Sequence, residues 1–138
     1  MKVLIDTNII LDDIFNRTPN VENAKKINRL IVDEIIGGYL TANTLTDIFY
    51  IVSKHKNEFT AKVVIKNLLL IFTIVSIDGD DCLKAINLLM GDFEDALIVV
   101  CAEKTNMDYI ITNDHEFLIG TELSVSVISP VDFLLMIN

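Results

Sequence analysis

The sequence predicts a three-layer α/β domain built on a mainly parallel β-sheet. A continuous aliphatic run at residues 3–5 and the segment YIIT at residues 109–112 indicate strands that are buried on both faces. Segments with helical spacing of apolar residues alternate with these and other short strands, as in α/β proteins. A chain of 138 residues has the usual size of one domain, so we expect residues 1–138 to form a single unit.

The first half of the chain begins with the strand at residues 3–5, which stops at Asp6. A short helix is predicted over residues 9–15, and residues 16–19 contain the turn formers that close it. Asn20 is a good N-cap for a second helix, because apolar residues then recur at helical spacing as far as residue 35. Gly37 and Gly38 are predicted to stop that helix.

A brief strand follows at residues 39–42. Thr44 and Asp47 have the spacing of a capping box, which predicts a helix from Thr44 to about His55 with Asp47 in its first turn. A further helix is expected over residues 58–72, and the β-branched run at residues 73–77 predicts the next strand.

The second half opens with a turn at residues 78–80, which leads into a helix ending near Met90. Asp92 and Asp95 repeat the capping-box spacing ahead of the apolar run at residues 96–102, so an acid again opens a helix. The buried strand at residues 109–112 ends at Asn113 and Asp114. A last strand is predicted over residues 124–129, and Pro130 begins a terminal helix.

Composition and charge exclude several classes of protein. The densest apolar run, residues 68–77, is too short for the ~20 residues of a membrane-spanning helix, and Asp6 ends the apolar start before a signal peptide could form. Cys82 and Cys101 lie in apolar helical patterns, which favours reduced core cysteines and a cytoplasmic protein. The net charge of −9 argues against a plain nucleic-acid-binding module.

Acidic side chains from four distant segments are predicted to meet at one edge of the sheet. Asp6 and Asp114 follow strands, Asp47 and Asp95 open helices, and Asp92 is close to Asp95. Each has a simple structural explanation, since acids cap helices and solvated strand ends are common. Several carboxylates close together destabilise one another, however, which indicates a bound cation.

The donor set indicates which cation this is. Carboxylate oxygens without a nearby cysteine or histidine pair select Mg²⁺ or Mn²⁺, and such an ion activates water for attack on phosphoesters. The residues alone therefore predict a metal-dependent phosphoester hydrolase.

Three motifs of the chain resemble those of the PIN-domain nucleases, a family that includes VapC-type toxin ribonucleases. The similarity rests on residues 4–8 (LIDTN), residues 92–96 (DFEDA) and residues 111–117 (ITNDHEF), which occur in the family's order. The resemblance implies five parallel strands in the order 3-2-1-4-5, a Mg²⁺ or Mn²⁺ site and cleavage of single-stranded RNA. It also implies a homodimer and, for a toxin, an antitoxin protein as partner.

The same resemblance implies roles for individual residues. Asp6, Asp95 and Asp114 match the metal-binding acids, and Asp47 stands where the family commonly has Glu, so we predict that it helps to hold or activate the water. The supporting residues that we expect around these four catalytic acids are Thr7, Asn8, Asp92 and Thr112, with Glu116 as a reserve for the fourth acid.

Other polar and aromatic residues are weaker candidates. His55 and His115 have no ligand-like spacing, and a joint role in RNA binding is open for the exposed basic residues Lys25, Lys26, Arg29, Lys54, Lys56, Lys62 and Lys66. The aromatic residues Phe15, Phe49 and Tyr50 are either antitoxin contacts or part of the core.

Two other functions remain open at this point. A phosphatase of the haloacid dehalogenase type needs a second Asp two residues after Asp6, and Asn8 stands there instead. The strong acidity of residues 71–138 and the change at Asp47 are also compatible with a catalytically weak or inactive interaction protein on the same fold. A P-loop ATPase is disfavoured because Gly37 and Gly38 lack the accompanying Lys and hydroxyl residue.

Overall fold

The structure is a computed structural model that describes residues 1–119 and 124–138. Five parallel strands form one sheet, in the order 3-2-1-4-5 when numbered along the chain, which confirms the predicted fold and strand order. The elements of the described residues are β1 (Lys2–Ile5), α1 (Thr7–Ile14), α2 (Val21–Val32), β2 (Gly37–Thr41), α3 (Ala42–His55), α4 (Glu58–Ile71), β3 (Thr73–Val75), α5 (Gly79–Ile86), α6 (Phe93–Lys104), β4 (Tyr109–Ile111), α7 (His115–Leu118), β5 (Ser126–Ile128) and α8 (Pro130–Ile137).

The sheet is covered on both faces, as its apolar strands require. Val3 and Ile5 of β1 point to one face, where they pack with helices α1, α2, α3, α4 and α8 around Phe133. Leu4 points to the other face and packs against α6 and β4, in a second cluster that includes Val99 and Ile110. Successive residues of a strand alternate between faces, so one three-residue run supplies both halves of the core.

The end of α2 differs from the prediction. The helix stops at Val32, because Glu34 has a positive φ of 59° and the Ile35 N–H donates to the Leu30 carbonyl. The Glu34 N–H donates to the Ile31 carbonyl, which completes a Schellman motif without glycine. The predicted stop was therefore wrong, and the two glycines begin β2 instead.

Gly38 is needed for close packing of α2 on the sheet. A Cβ at this position would lie 2.6 Å from Cγ2 and 2.7 Å from Cδ1 of Ile31, which is buried in the core. We expect Gly38→Ala to lower the free energy of unfolding by about 1–3 kcal/mol, because it overpacks this contact. Urea unfolding tests this, with Gly79→Ala as the control, since nothing lies within 4 Å of a Cβ at Gly79.

A double-mutant cycle separates overpacking from a loss of backbone freedom at Gly38. Ile31→Ala removes the atoms that the new methyl group meets, so Gly38→Ala should cost much less in that background. Equal costs in the two backgrounds would contradict the packing explanation.

The predicted capping box at Thr44 and Asp47 was also wrong. Helix α3 begins at Ala42 with Thr41 as its N-cap residue, so Asp47 lies in the second turn. The Thr44 hydroxyl is buried and lies 3.0 Å from Thr7 Oγ1 and 3.1 Å from Thr41 Oγ1. These hydroxyl contacts join the starts of α1 and α3 and hold both beside β1.

A capping box forms instead at the start of α5. Asp78 accepts a hydrogen bond from the Asp81 N–H, and Asp81 accepts one from the Asp78 N–H. The buried Asp81 carboxylate also pairs with Lys104 of α6. The hydrogen bond from Lys104 is the main reason why the pKa of Asp81 is lowered. The helix ends at Ile86, earlier than predicted, where Asn87 caps it.

The remaining predictions agree with the structure to within a few residues. Strand β3 ends at Val75 and β4 at Ile111, while α1 begins two residues earlier than predicted. Cys101 is buried and Cys82 half-buried, and both are free thiols. No helix in the described part of the chain has the length and apolar character that crossing a membrane requires.

Candidate active site

A cavity of about 420 Å³ lies where β1 and β4 end and where α6 begins. Parallel strands present their carboxyl ends at one edge, so side chains from distant segments meet there. The cavity is lined by six acidic residues and by seven others, namely Thr7, Asn8, Leu11, Asn43, Tyr50, Ile51 and Ile98. The six acids are Asp6, Asp47, Asp92, Glu94, Asp95 and Asp114.

Asp6 is the most deeply placed of these acids, with only 7% of its surface exposed. Its carboxylate caps α1 by accepting the Thr7 N–H at 2.8 Å, and it accepts the Thr112 hydroxyl at 2.7 Å. Burial raises the pKa of Asp6, while these two hydrogen bonds oppose the rise. The nearby charges of Asp114 and Asp92 raise it further.

Thr112 connects the acids at the ends of β1 and β4. Its buried hydroxyl donates to Asp6 Oδ2 and accepts the Asp114 N–H at 3.0 Å. Asn8 adds a second tie, since its amide donates to Asp6 Oδ2 at 3.2 Å and accepts the Asn113 N–H at 3.3 Å. Both predicted supporting residues therefore hold the carboxylate of Asp6 in place.

We expect Thr112→Val to disturb both acids at once. The substitution keeps the shape of the side chain but leaves Asp6 and the Asp114 N–H without their shared partner, which should cost about 1–3 kcal/mol of stability. If the site is a metal centre, metal affinity should fall by about 10- to 100-fold. Thermal unfolding and metal titration test this, and Thr112→Ser should behave as the parent does.

Asp92 and Asp95 form only half of the predicted capping box. Asp92 accepts the Asp95 N–H at 3.1 Å as the N-cap of α6, but the Asp95 carboxylate receives no hydrogen bond from any described residue. Burial raises the pKa of Asp95 to about 7, and the negative charges of Asp6, Asp92, Asp114 and Glu94 contribute. Asp95 and Asp6 are thus close enough to oppose each other's ionisation.

Asp47 reaches the cavity from α3 and meets a residue that the sequence did not single out. Its carboxyl group lies beside that of Glu94, and burial is the largest cause of the raised pKa of both groups. Glu94 stands within the same motif as Asp95, one residue earlier in the first turn of α6. Its position at the opening of a helix that faces the cavity was the signal that could have identified it.

A second missed group lies behind the cavity. Asp12 is buried in α1 and accepts the Asn113 side-chain amide at 2.6 Å. Because the Asn113 N–H also donates to Asn8, this contact fixes the segment between β4 and Asp114 against α1. A pair of acids inside the pattern of α1 gave no sign that one of them is buried.

Three predicted candidates do not reach the cavity. Glu116, His55 and His115 are exposed and do not line it.

The Asp114 carboxylate accepts the Glu116 N–H at 3.0 Å and so caps α7, as its simpler explanation predicted. Among the aromatic candidates, Tyr50 is exposed, whereas Phe15 and Phe49 are half-buried and pack against the core.

The chemistry of the cavity fits a hard divalent cation. Its acidic groups offer only carboxylate oxygens, and at least four of them have raised pKa values at a shared site. Within residues 1–119 and 124–138, no three acidic, histidine or cysteine side chains stand close enough to form a finished metal cluster.

Most of the chain matches one known family. The family model of the PIN domain matches residues 2–116. No curated protein sequence matches the chain significantly.

Solved structures share the whole fold at low sequence identity. A VapBC2 complex from Rickettsia felis bound to promoter DNA has 19% identity and a TM-score of 0.68, over 94% of this chain and 98% of that one. A toxin–antitoxin complex from Klebsiella pneumoniae has 20% identity and a TM-score of 0.67, with coverages of 93% and 97%. The sarcin-ricin loop cleaving toxin VapC20 from Mycobacterium tuberculosis has 14% identity and a TM-score of 0.67, with coverages of 83% and 92%.

Proposed function

The chain belongs to the PIN domain family, and from this premise we propose that it is a metal-dependent endoribonuclease acting on single-stranded RNA. The observation that carries the proposal is the cavity in which Asp6, Asp47, Asp95 and Asp114 meet. Hydrolysis of the phosphodiester bond by water would leave a 5′-phosphate and a 3′-hydroxyl. The chain that performs this reaction is proposed to be one domain, residues 1–138.

Asp6, Asp95 and Asp114 are the residues that would hold Mg²⁺ or Mn²⁺. When bound, the ion supplies positive charge for the scissile phosphate and lowers the pKa of the attacking water. The cavity offers oxygen donors, which these ions prefer over the nitrogen and sulfur donors that select zinc or copper.

The remaining polar residues have positioning and proton-transfer roles in this proposal. Thr112 and Asn8 hold the Asp6 carboxylate, and Thr7 joins α1 to α3 through Thr44. Asp47 and Glu94 are suited to accept the proton of the attacking water, because a raised pKa makes a carboxylate a stronger base. Asp92 adds negative charge beside Asp95, which favours cation binding.

We further propose that the protein is the toxin of a toxin–antitoxin pair in the cytoplasm, and that it forms a homodimer. The support is that structural neighbours from Rickettsia felis and Klebsiella pneumoniae are toxin–antitoxin complexes. The observation that tests the pairing is a neighbouring open reading frame whose product binds this protein and blocks its activity. Light scattering of the purified protein tests the dimer.

A cleavage assay with a variant of Asp6 tests the nuclease activity. Purified protein is incubated with end-labelled single-stranded RNA and Mn²⁺, with EDTA as the metal-free control. We expect cleavage by the parent and by Asp80→Asn, an exposed acid at the start of α5. Asp6→Asn should not cleave. Parent protein that leaves RNA intact with Mn²⁺, or an active Asp6→Asn variant, contradicts the proposal.

A further inference from the structure

We infer that single-stranded RNA reaches the acidic cavity across a strip of aromatic and basic side chains carried by α3 and by the residues directly after α1 and α3. The strip, which we call the aromatic–basic strip, consists of Phe15, Arg17, Tyr50, Lys54, His55 and Lys56. This inference rests on the proposed nuclease function and identifies the path of its substrate.

The aromatic–basic strip adjoins the cavity on two helices. Leu11 of α1 and Ile51 of α3 line the cavity, and Phe15 and His55 stand four residues further along the chain from each. Tyr50 itself lines the cavity. Four residues advance a helix by about 6 Å, a distance that about two stacked nucleotides of a single strand cover. An RNA chain that leaves the cavity in this direction therefore contacts the aromatic–basic strip within about two nucleotides.

Tyr50 offers a surface on which a base can stack. It is 64% exposed although it borders the cavity, and Lys54 Nζ lies 5.9 Å from the centre of its ring. Aromatic rings that bind single strands accept any base, because every base has a π-face, and a neighbouring cation binds the phosphates. Tyr50 and Lys54 together provide both contacts, one turn apart on α3.

The remaining cations of the strip lie beside the Phe15 ring, at the end of the strip that is away from the cavity. Arg17 Cζ lies 5.4 Å and Lys56 Nζ 5.9 Å from the centre of its ring. The His55 ring meets Phe15 edge-on, with 5.6 Å between the ring centres. The half-buried Phe15 ring therefore organises basic groups that come from two different segments of the chain.

Two cations of the strip are not held in ion pairs by any described residue. Half of the eight basic residues outside the strip, namely Lys25, Arg29, Lys62 and Lys104, are paired with carboxylates. Lys54 and Lys56 have no carboxylate within 4.0 Å among the described residues, and Arg17 is 3.9 Å from Asp12. A phosphate chain must approach a cavity that contains six acids, so cations beside the cavity are needed to hold it.

Binding to labelled RNA tests the strip separately from catalysis. All variants are made in an Asp95→Asn background, and the affinity for a fluorescein-labelled single-stranded RNA of roughly 12 nucleotides is measured by anisotropy at several salt concentrations. We expect the pair Lys54→Gln and Lys56→Gln to weaken binding about tenfold. The slope of log affinity against log salt should become shallower by about 1.4, the value for two lost phosphate contacts.

Two matched controls make the result specific. The pair Lys26→Gln and Lys66→Gln removes the same charge from exposed positions on α2 and α4 and should leave binding unchanged. Tyr50→Leu should weaken binding about tenfold, whereas Tyr50→Phe, which keeps the ring, should not. Circular dichroism confirms that each variant is folded.

The outcomes distinguish this inference from the proposed function. The parent protein could cleave RNA while the Lys54, Lys56 and Tyr50 variants bind RNA as tightly as Asp95→Asn alone. In that case the strip is not the RNA path, and the proposed nuclease function is unaffected. Equal losses in both lysine pairs would show a general charge effect and overturn the inference. Strip variants that keep RNA affinity but lose the antitoxin would assign the surface to a protein partner and overturn it as well.

Discussion

Asp95→Asn is expected to slow RNA cleavage strongly and at the same time to stabilise the metal-free protein. Asp95 is one of the three proposed metal ligands, so the loss of its charge should lower the rate by about 10²- to 10³-fold. The gain in stability follows from the raised pKa of Asp95, which is about 7 in the folded protein against 3.8 for an ordinary aspartate. A folded state that resists ionisation of this group is destabilised as the pH rises from about 3.8 to about 7.

At pH 8 the parent therefore bears the full cost of an ionised Asp95, and the Asn variant does not. Solvent screens this half-buried group, so we expect the variant to be more stable by about 1–2 kcal/mol at pH 8 in EDTA. The difference should disappear near pH 4. Urea unfolding at the two pH values measures it.

Asp81→Asn is the matched control, because Asp81 has the same position in the first turn of α5 as Asp95 has in α6. Its pKa is lowered by Lys104, so its contribution is present above pH 3.8 and is lost as the pH falls. Asp81→Asn should therefore lower the stability at pH 8, by about 2 kcal/mol. Equal and like-signed effects of the two substitutions would refute this account of Asp95.

Mn²⁺ is expected to raise the melting temperature of the parent, with a larger effect at pH 8 than at pH 6. A ligand at one hundred times its dissociation constant stabilises the folded state by about 2.7 kcal/mol, which corresponds to roughly 8 °C for a chain of this size. Protons compete with the metal for Asp95, whose pKa of about 7 lies between the two pH values. The shift at pH 6 should therefore be about half as large.

Asp6→Asn should lose most of this thermal shift, whereas Asp80→Asn should keep it. Differential scanning fluorimetry with a Mn²⁺ titration measures all three proteins at both pH values. An equal shift in the parent and in Asp6→Asn would place the metal elsewhere on the protein. A shift that is the same at pH 6 and pH 8 would show that Asp95 is not among the groups that bind it.

The convergence of the acids could be predicted because their positions follow from local patterns. Asp6 stands directly after β1, Asp114 stands three residues after the end of β4, and Asp95 stands three residues after an N-cap acid. Parallel strands bring such positions to one edge whatever the details of packing.

The parts that the sequence did not predict depend on contacts between distant segments. Position 38 requires glycine because Ile31 of α2 occupies the space of a Cβ, and no local pattern reveals that contact. Thr44 has the spacing of an N-cap, but its hydroxyl is used by Thr7 and Thr41, so α3 begins earlier. Glu94 was passed over because its place beside Asp47 depends on how α6 and α3 lie relative to each other.

The outer strands of the sheet limit how this protein can associate with other chains. Both β3 and β5 consist of only three residues, so each leaves few backbone amide and carbonyl groups open for another strand to join. Short borders of this kind hinder fibril-like stacking of sheets. We therefore expect a stable assembly of this molecule to be built mainly through its helices and their side chains, and we expect the folded protein to resist amyloid formation.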